Sequence, residues 1–240
     1  MTLYVYRSIV TIEVYIVSAI KLFHGSQVVV KKPLFGYGKI MNDYGQGFYC
    51  TEDIELAKEW ACQVNNNGFV NEYDLDTEEL NILNLSSEFN ILNWLAILLE
   101  NRLVRFTTPI QRKAAKYIVD NFMPNYKNYD VIVGYRADDS YFLFARYFVS
   151  NQISLNQLKI AMKLGRLGEQ YCLKSEKAFS NIKFVGYIEA KSEIYFRLRK
   201  EREEKARLDF LKVLESEDAG DLYIRDIISE NIKNDDQRLR

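Results

Sequence analysis

Residues 69–76, FVNEYDLD, alternate apolar and polar side chains, the period of two that marks a half-buried strand. Residues 169–175 (EQYCLKS) and 182–190 (IKFVGYIEA) read as further strands, and KLFHGS at 21–26 closes an earlier one. Residues 21–50 predict a strand, a loop and a second short strand. The loop holds Gly36, Tyr37, Gly38, Asp43, Tyr44, Gly45 and Gly47. A helix follows over 51–63, with Thr51 as its N-cap, Glu52 and Asp53 in the first turn, and Asn65, Asn66, Asn67 and Gly68 as its stop. Residues 77–123 read as mostly helical. Ile91, Trp94, Leu95 and Leu98 make one apolar face over 91–103, and a second helix runs over 109–122, opened by Pro109 and ended before Pro124. Residues 129–148 begin as a strand and suit a helix in their second half. Ser154 caps a helix over 154–166.

From about 190 to 218 the pattern changes. The stretch has no Gly or Pro and carries opposite charges four residues apart, such as Glu201 and Lys205, which predicts a long, partly solvated helix. Gly220 ends it, and a short helix is expected within 221–232. The chain therefore divides into an N-terminal extension (1–20), a main domain (21–187) and a helical C-terminal appendage (188–240). The appendage reads either as packing along the domain or as a docking surface for a partner.

The 240 residues suffice to bury a sizeable core. Thirty-two Lys and Arg stand against 33 Asp and Glu, so no overall field steers the chain toward nucleic acid or an anionic membrane; a nucleic-acid target would need a local patch. Three cysteines, Cys50, Cys62 and Cys172, with no CxxC, fit a reducing, cytoplasmic setting better than a disulfide framework. With His24 as the sole histidine, no zinc site of the usual kinds is expected. The apolar run in residues 2–20 is broken by Arg7 and Glu13 and is short for a membrane span; it lacks the basic start and cleavage site of a signal peptide. No membrane association is expected.

Three blocks carry the candidate chemistry: LFHGS (22–26), DYGQGFYCTEDIELAKEWA (43–61) and GEQYCLKSEKAFSNIKFVG (168–186). Each alone has an ordinary structural explanation. A lone His on a strand is usually a satisfied side chain, glycines in a loop usually serve a turn, and a Trp on a helix is usually core. Together, their order and spacing resemble the ADP-ribosyltransferase superfamily in its diphtheria-toxin and poly-ADP-ribose-polymerase branch. That family has an HG(S/T) strand end, then a G-x-G-x-Y loop, then a second aromatic eleven residues on, the separation of Tyr49 and Trp60 here. The resemblance covers about 20–187 and is nearest to small bacterial members that are often encoded beside a small partner protein.

The resemblance implies an α+β fold of two roughly perpendicular, packed antiparallel sheets around an NAD cleft, with the helices at 91–103 and 109–122 as an insertion covering one side. It implies NAD as substrate, no metal, an unknown macromolecular target and a small antitoxin partner. His24 would hydrogen-bond the ribose, Gly25 would let the backbone approach the nicotinamide carboxamide, and Ser26 would donate to that amide. Gly47 shapes the loop, and Tyr49 and Trp60 would take the nicotinamide ring between them, each stack worth about 1 kcal/mol beyond burial.

The pattern departs from the family at its last residue, a glutamate, where Gln170 stands. Gln170 can hydrogen-bond the ribose but supplies no charge. One charge at about 4 Å and an effective dielectric near 20 is worth roughly 4 kcal/mol, about a thousandfold in rate. Glu169, reached by a slip of one residue, and the acidic pair Asp138 and Asp139 are the candidates to compensate, with Asp139 taken as the catalytic one. Trp60 replaces the family's Tyr, and Ala57 stands where some members carry a serine. The leading expectation is a mono-ADP-ribosyltransferase acting as the toxin of a two-gene pair. The alternatives are an NAD-binding or NAD-cleaving module without transfer, and an interaction protein with a vestigial site.

Overall fold

The computed structural model describes residues 19–137, 139–166, 168–216 and 220–239. Nearly all of the expected N-terminal extension, residues 1–18, and also Asp138 lie outside the described residues. The fold is α+β, with two sheets. The first is antiparallel in the order β1 (Ala19–Ser26), β3 (Gly68–Asp76), β7 (Ile182–Ala190). The second has the order β2 (Phe48–Cys50), β6 (Glu169–Leu173), β5 (Val131–Tyr135), β4 (Ile82–Asn84). It is not wholly antiparallel, because β4 runs parallel to β5. The strand β4 lies in the stretch expected to be helical; at three residues it is too short to show a period.

Strand alternation sorts the second sheet's two faces. Val131, Val133, Leu173 and Cys50 point toward the first sheet and pack on Leu22, Tyr73 and Leu75, so the two sheets share one core. Ile132 and Cys172 point the other way, into a larger core built on helices. That core holds α3 (Ile91–Asn101), α4 (Pro109–Phe122), α5 (Asp139–Val149) and α6 (Leu155–Ala161). The helices α3 and α4, expected as a cover over one side, thus form the molecule's largest core. Thr108 caps α4 in a capping box with Gln111, and Pro109 occupies its first turn, as its sequence suggested. The second half of 129–148 is helical, as α5.

The long helix α8 (Ser192–Glu215) and the short α9 (Ile224–Ser229) place Phe210, Val213, Ile224 and Ile227 in the same helical core. Arg202 on α8 makes a two-pronged ion pair with the buried Glu59, Nε to Oε2 at 3.0 Å and Nη2 to Oε1 at 2.6 Å. Its Nη1 also donates to the carbonyls of Gly165 and Arg166. The C-terminal segment is therefore riveted to the helix that carries Trp60. No helix among the described residues is long and apolar enough to cross a membrane.

Candidate functional site

The first strand, β1, delivers His24, Gly25 and Ser26 to the sheet edge opposite Asn71, Val70 and Phe69 of β3. The edge is tied to the second sheet by paired backbone bonds between Phe23 and Thr51, 2.7 and 2.9 Å. Thr51 is thus a bridge residue and not the helix cap. The cap is Asp53, whose carboxylate accepts from the Glu55 and Leu56 amides, and α1 (Ile54–Ala61) starts two residues later than a Thr51 cap would allow. Helix α1 lies directly on β1. A Cβ at Gly25 would come 2.1 Å from the Ala57 carbonyl and 2.7 Å from the Ala61 amide. The glycine is there to admit the helix backbone, a different reason from the close ligand approach expected of it. Ala57 is buried in this same contact.

A cleft of about 750 Å³ opens where the two sheets meet. His24, Gly25, Ser26, Gly47, Tyr49, Trp60 and Gln170 all line it. Residues from the three sequence blocks thus converge on one concavity. Its volume lies in the range of small-molecule sites. The helix α5 begins at Asp139, whose side chain lies outside what is described. Glu169 faces a separate, smaller depression with Arg136, Lys163 and Arg166. Alternation along β6 turns Gln170 inward and Glu169 outward, so the register that places Gln170 in the site holds and the slip does not.

His24 is half-buried. Its Nδ1 lies 2.7 Å from the Tyr49 carbonyl, an acceptor only, so that nitrogen carries the proton. Burial lowers the imidazole pKa below its usual value, and the neutral ring leaves Nε2 as an acceptor. Tyr49 in turn pins the preceding loop: its hydroxyl donates to the Gly45 carbonyl at 2.6 Å and accepts from the Tyr44 amide at 3.1 Å. Burial raises its phenol far above the ordinary range. Trp60 is engaged on one face, with the Arg136 guanidinium 3.8 Å from its ring centre. Ser26 donates its hydroxyl proton to the Val28 carbonyl and accepts from Asn71.

Four functional candidates escaped the sequence reading. Asn71, fully buried, binds the Val30 amide at 2.8 Å and the carbonyls of His24 and Val28 at 3.2 and 3.3 Å, which fixes the turn after β1. An Asn in mid-strand is the one signal that pointed to it. Arg102 and Arg136 line the cleft, as do Lys31, Lys32 and Lys39 of the loop. The fourth is Asp43, 4% exposed. Its Oδ2 accepts from the Ala137 amide at 2.9 Å and from Gln170 Nε2 at 2.8 Å, and Arg102 lies 3.4 Å from Oδ1. Burial pushes the Asp43 pKa up, and the Ala137 and Gln170 bonds and the nearby Arg102 and Arg136 oppose that shift. Gln170 Nε2 also reaches the Tyr135 carbonyl at 3.2 Å. Tyr44 beside it is locked by Trp94 and by the Tyr135 carbonyl; Gly134 makes room, since a Cβ there would lie 2.5 Å from the Tyr44 hydroxyl.

Residues 20–184 match the model of a family described as Protein of unknown function (DUF3990). The match spans about two-thirds of the chain and contains every cleft residue named above, so the chain belongs to that family. No curated protein matches the chain, and no solved structure does.

Proposed function

We propose that this member of the DUF3990 family binds NAD in the cleft and breaks its nicotinamide–ribose bond, transferring ADP-ribose to an acceptor. The observation that carries the reading is the convergence of His24, Tyr49, Trp60 and Gln170, which come from three separated blocks, on one cleft of adequate size. The chemistry fits the parts. Two aromatic side chains, Tyr49 and Trp60, line the cleft and suit stacking on a ligand ring, with the Arg136 guanidinium already over the indole. Five cationic side chains, Lys31, Lys32, Lys39, Arg102 and Arg136, suit a pyrophosphate. His24 Nε2 can accept from a ribose hydroxyl. In the reaction, the bond from ribose C1′ to the nicotinamide nitrogen breaks with its electron pair leaving on nicotinamide. The ribose carbon turns cationic and is taken by an acceptor oxygen or nitrogen, which gives its proton to solvent.

A second reading, hydrolysis to free ADP-ribose without transfer, is favoured by Gln170 standing in the family glutamate's place. Nicotinamide release with no label on any macromolecule separates it from transfer. For the shared binding step, calorimetric titration should show NAD binding by the wild type, weakened about tenfold in His24→Ala, the loss of one buried hydrogen bond. Absence of binding up to millimolar NAD, or equal affinity in the variant, would contradict the reading.

A further inference from the structure

We propose that Asp43 is the anionic group of this cleft, so that Asp43 and Gln170 together do what a single glutamate would do. The assignment rests on the NAD-cleaving reading and adds a residue that neither the spacing of the blocks nor the resemblance singled out.

The geometry makes the case. Asp43 lines the cleft, is more than nine-tenths buried and lies 2.8 Å from Gln170. Its surroundings are those of a carboxylate. The Ala137 amide, the Gln170 amide and the Arg102 guanidinium are all donors, and a protonated acid would need an acceptor for its own hydrogen. Its Oδ1 is buried and accepts no hydrogen bond, its neighbour being Arg102 at 3.4 Å. The Arg102 ion pair holds that oxygen charged without donating a close hydrogen bond to it.

The same contacts orient Gln170. Asp43 Oδ2 and the Tyr135 carbonyl both accept, so the Gln170 amide nitrogen must face them and its oxygen is directed elsewhere. An amide whose nitrogen is held by a carboxylate has its oxygen fixed in direction, which suits the role of accepting from a ribose hydroxyl. Meanwhile the cleft holds Arg102 and Arg136 close by. Without Asp43, a cation developing on the ribose would meet two guanidinium groups and no anion. With it, one negative charge stands on the buried side of the cleft, where the electrostatic effect exceeds that in bulk water.

The charged and titratable groups around Asp43 are Arg102 after α3, Arg136 after β5, Tyr44 beside it, Tyr49 on β2 and Cys172 on β6; burial holds the last three neutral. Replacing Gln170 by Glu would set a second carboxylate about where the amide now sits, and two such groups cannot both ionise at that distance.

The test is nicotinamide release and NAD binding in the full chain, for the wild type, Asp43→Asn, Gln170→Glu and the exchanged pair Asp43→Asn with Gln170→Glu. Asp43→Asn should keep NAD affinity within about threefold and a melting temperature no more than about 5 °C below the wild type, yet lose on the order of a hundredfold in turnover. Gln170→Glu should bring no gain at neutral pH, and its acid limb should move to higher pH than the wild type's. The exchanged pair, with one charge again, should recover at least tenfold over Asp43→Asn. Four outcomes would overturn the assignment: wild-type turnover in Asp43→Asn, a gain in Gln170→Glu, an exchanged pair no better than Asp43→Asn, or joint loss of NAD binding and melting temperature in Asp43→Asn. Wild-type protein that binds NAD without turnover removes this role but leaves the NAD site; wild-type protein that does not bind NAD overturns both readings.

Discussion

Asparagine in a strand, a glycine at a strand end and an aspartate in a loop are each unremarkable letters, and in this chain they decide what the cleft is. Asn71 holds the turn after β1 with four polar contacts, among them the Val30 amide and the His24 carbonyl. Gly25 carries α1 on its bare Cα. A Gly25→Ala substitution should therefore push α1 and Trp60 off β1. We expect roughly 1–3 kcal/mol of lost stability together with weakened NAD binding, measured by thermal melts and titration on one preparation. An alanine variant as stable as the wild type would show that the helix can yield. That His24, Tyr49, Trp60 and Gln170 share one cleft was legible because each sits in a short block whose order and spacing resemble the ADP-ribosyltransferase pattern. Asp43, Arg102 and Arg136 were not. They come from a loop, a helix end and a strand end, and only the folded chain sets them around one amide.

At the level of elements, the strands and long helices followed from their periods, whereas boundaries and roles did not. The N-cap of α1 moved from Thr51 to Asp53 because Thr51 is held in a bridge to Phe23, a contact between sheets that no local pattern announces. The short strand β4 hid inside a stretch that reads as helical. For α8 the charge pattern predicted a partly solvated helix packed along the domain or docking a partner; much of it is exposed, and it packs on the domain, with Arg202 reaching the buried Glu59 one residue before Trp60. Removing Arg202 leaves that carboxylate buried and unpaired. Because Arg202 is itself about a quarter exposed, the cost of Arg202→Ala should fall below that of a fully buried pair, roughly 2–3 kcal/mol. That corresponds to a melting temperature lower by about 5–10 °C. Adding Glu59→Gln should return part of it, and an unchanged melting temperature in Arg202→Ala would show that the pair contributes nothing.

Across the whole molecule, the near-zero net charge conceals a local asymmetry. Five cationic side chains line the cleft while the chain overall carries a formal charge of −1. Bulk composition argued against steering toward polyanions, and it could not report this concentration, because the lysines of the loop and the two arginines are 34 or more residues apart in places and meet only in the fold. The cleft lies where the two sheets are stitched together. Behind it stands a helical core to which the C-terminal segment contributes Phe210, Val213, Ile224 and Ile227. Rigid layers on both sides are what a site needs if it is to hold a dinucleotide in a reactive geometry. The α+β class and the position of Gln170 were expected from the family resemblance, and alternation added only that Glu169 and Gln170 face opposite ways. Packing of the tail along the domain was one of two readings of its sequence; which residues make the shared core was not readable, since a helix with scattered apolar residues does not say what it packs on. The most direct test of the account is nicotinamide release from NAD by the purified full chain, beside His24→Ala. Steady release by the wild type, reduced at least tenfold in the variant, is the expected result. A wild-type rate no higher than that of NAD alone in buffer would contradict it.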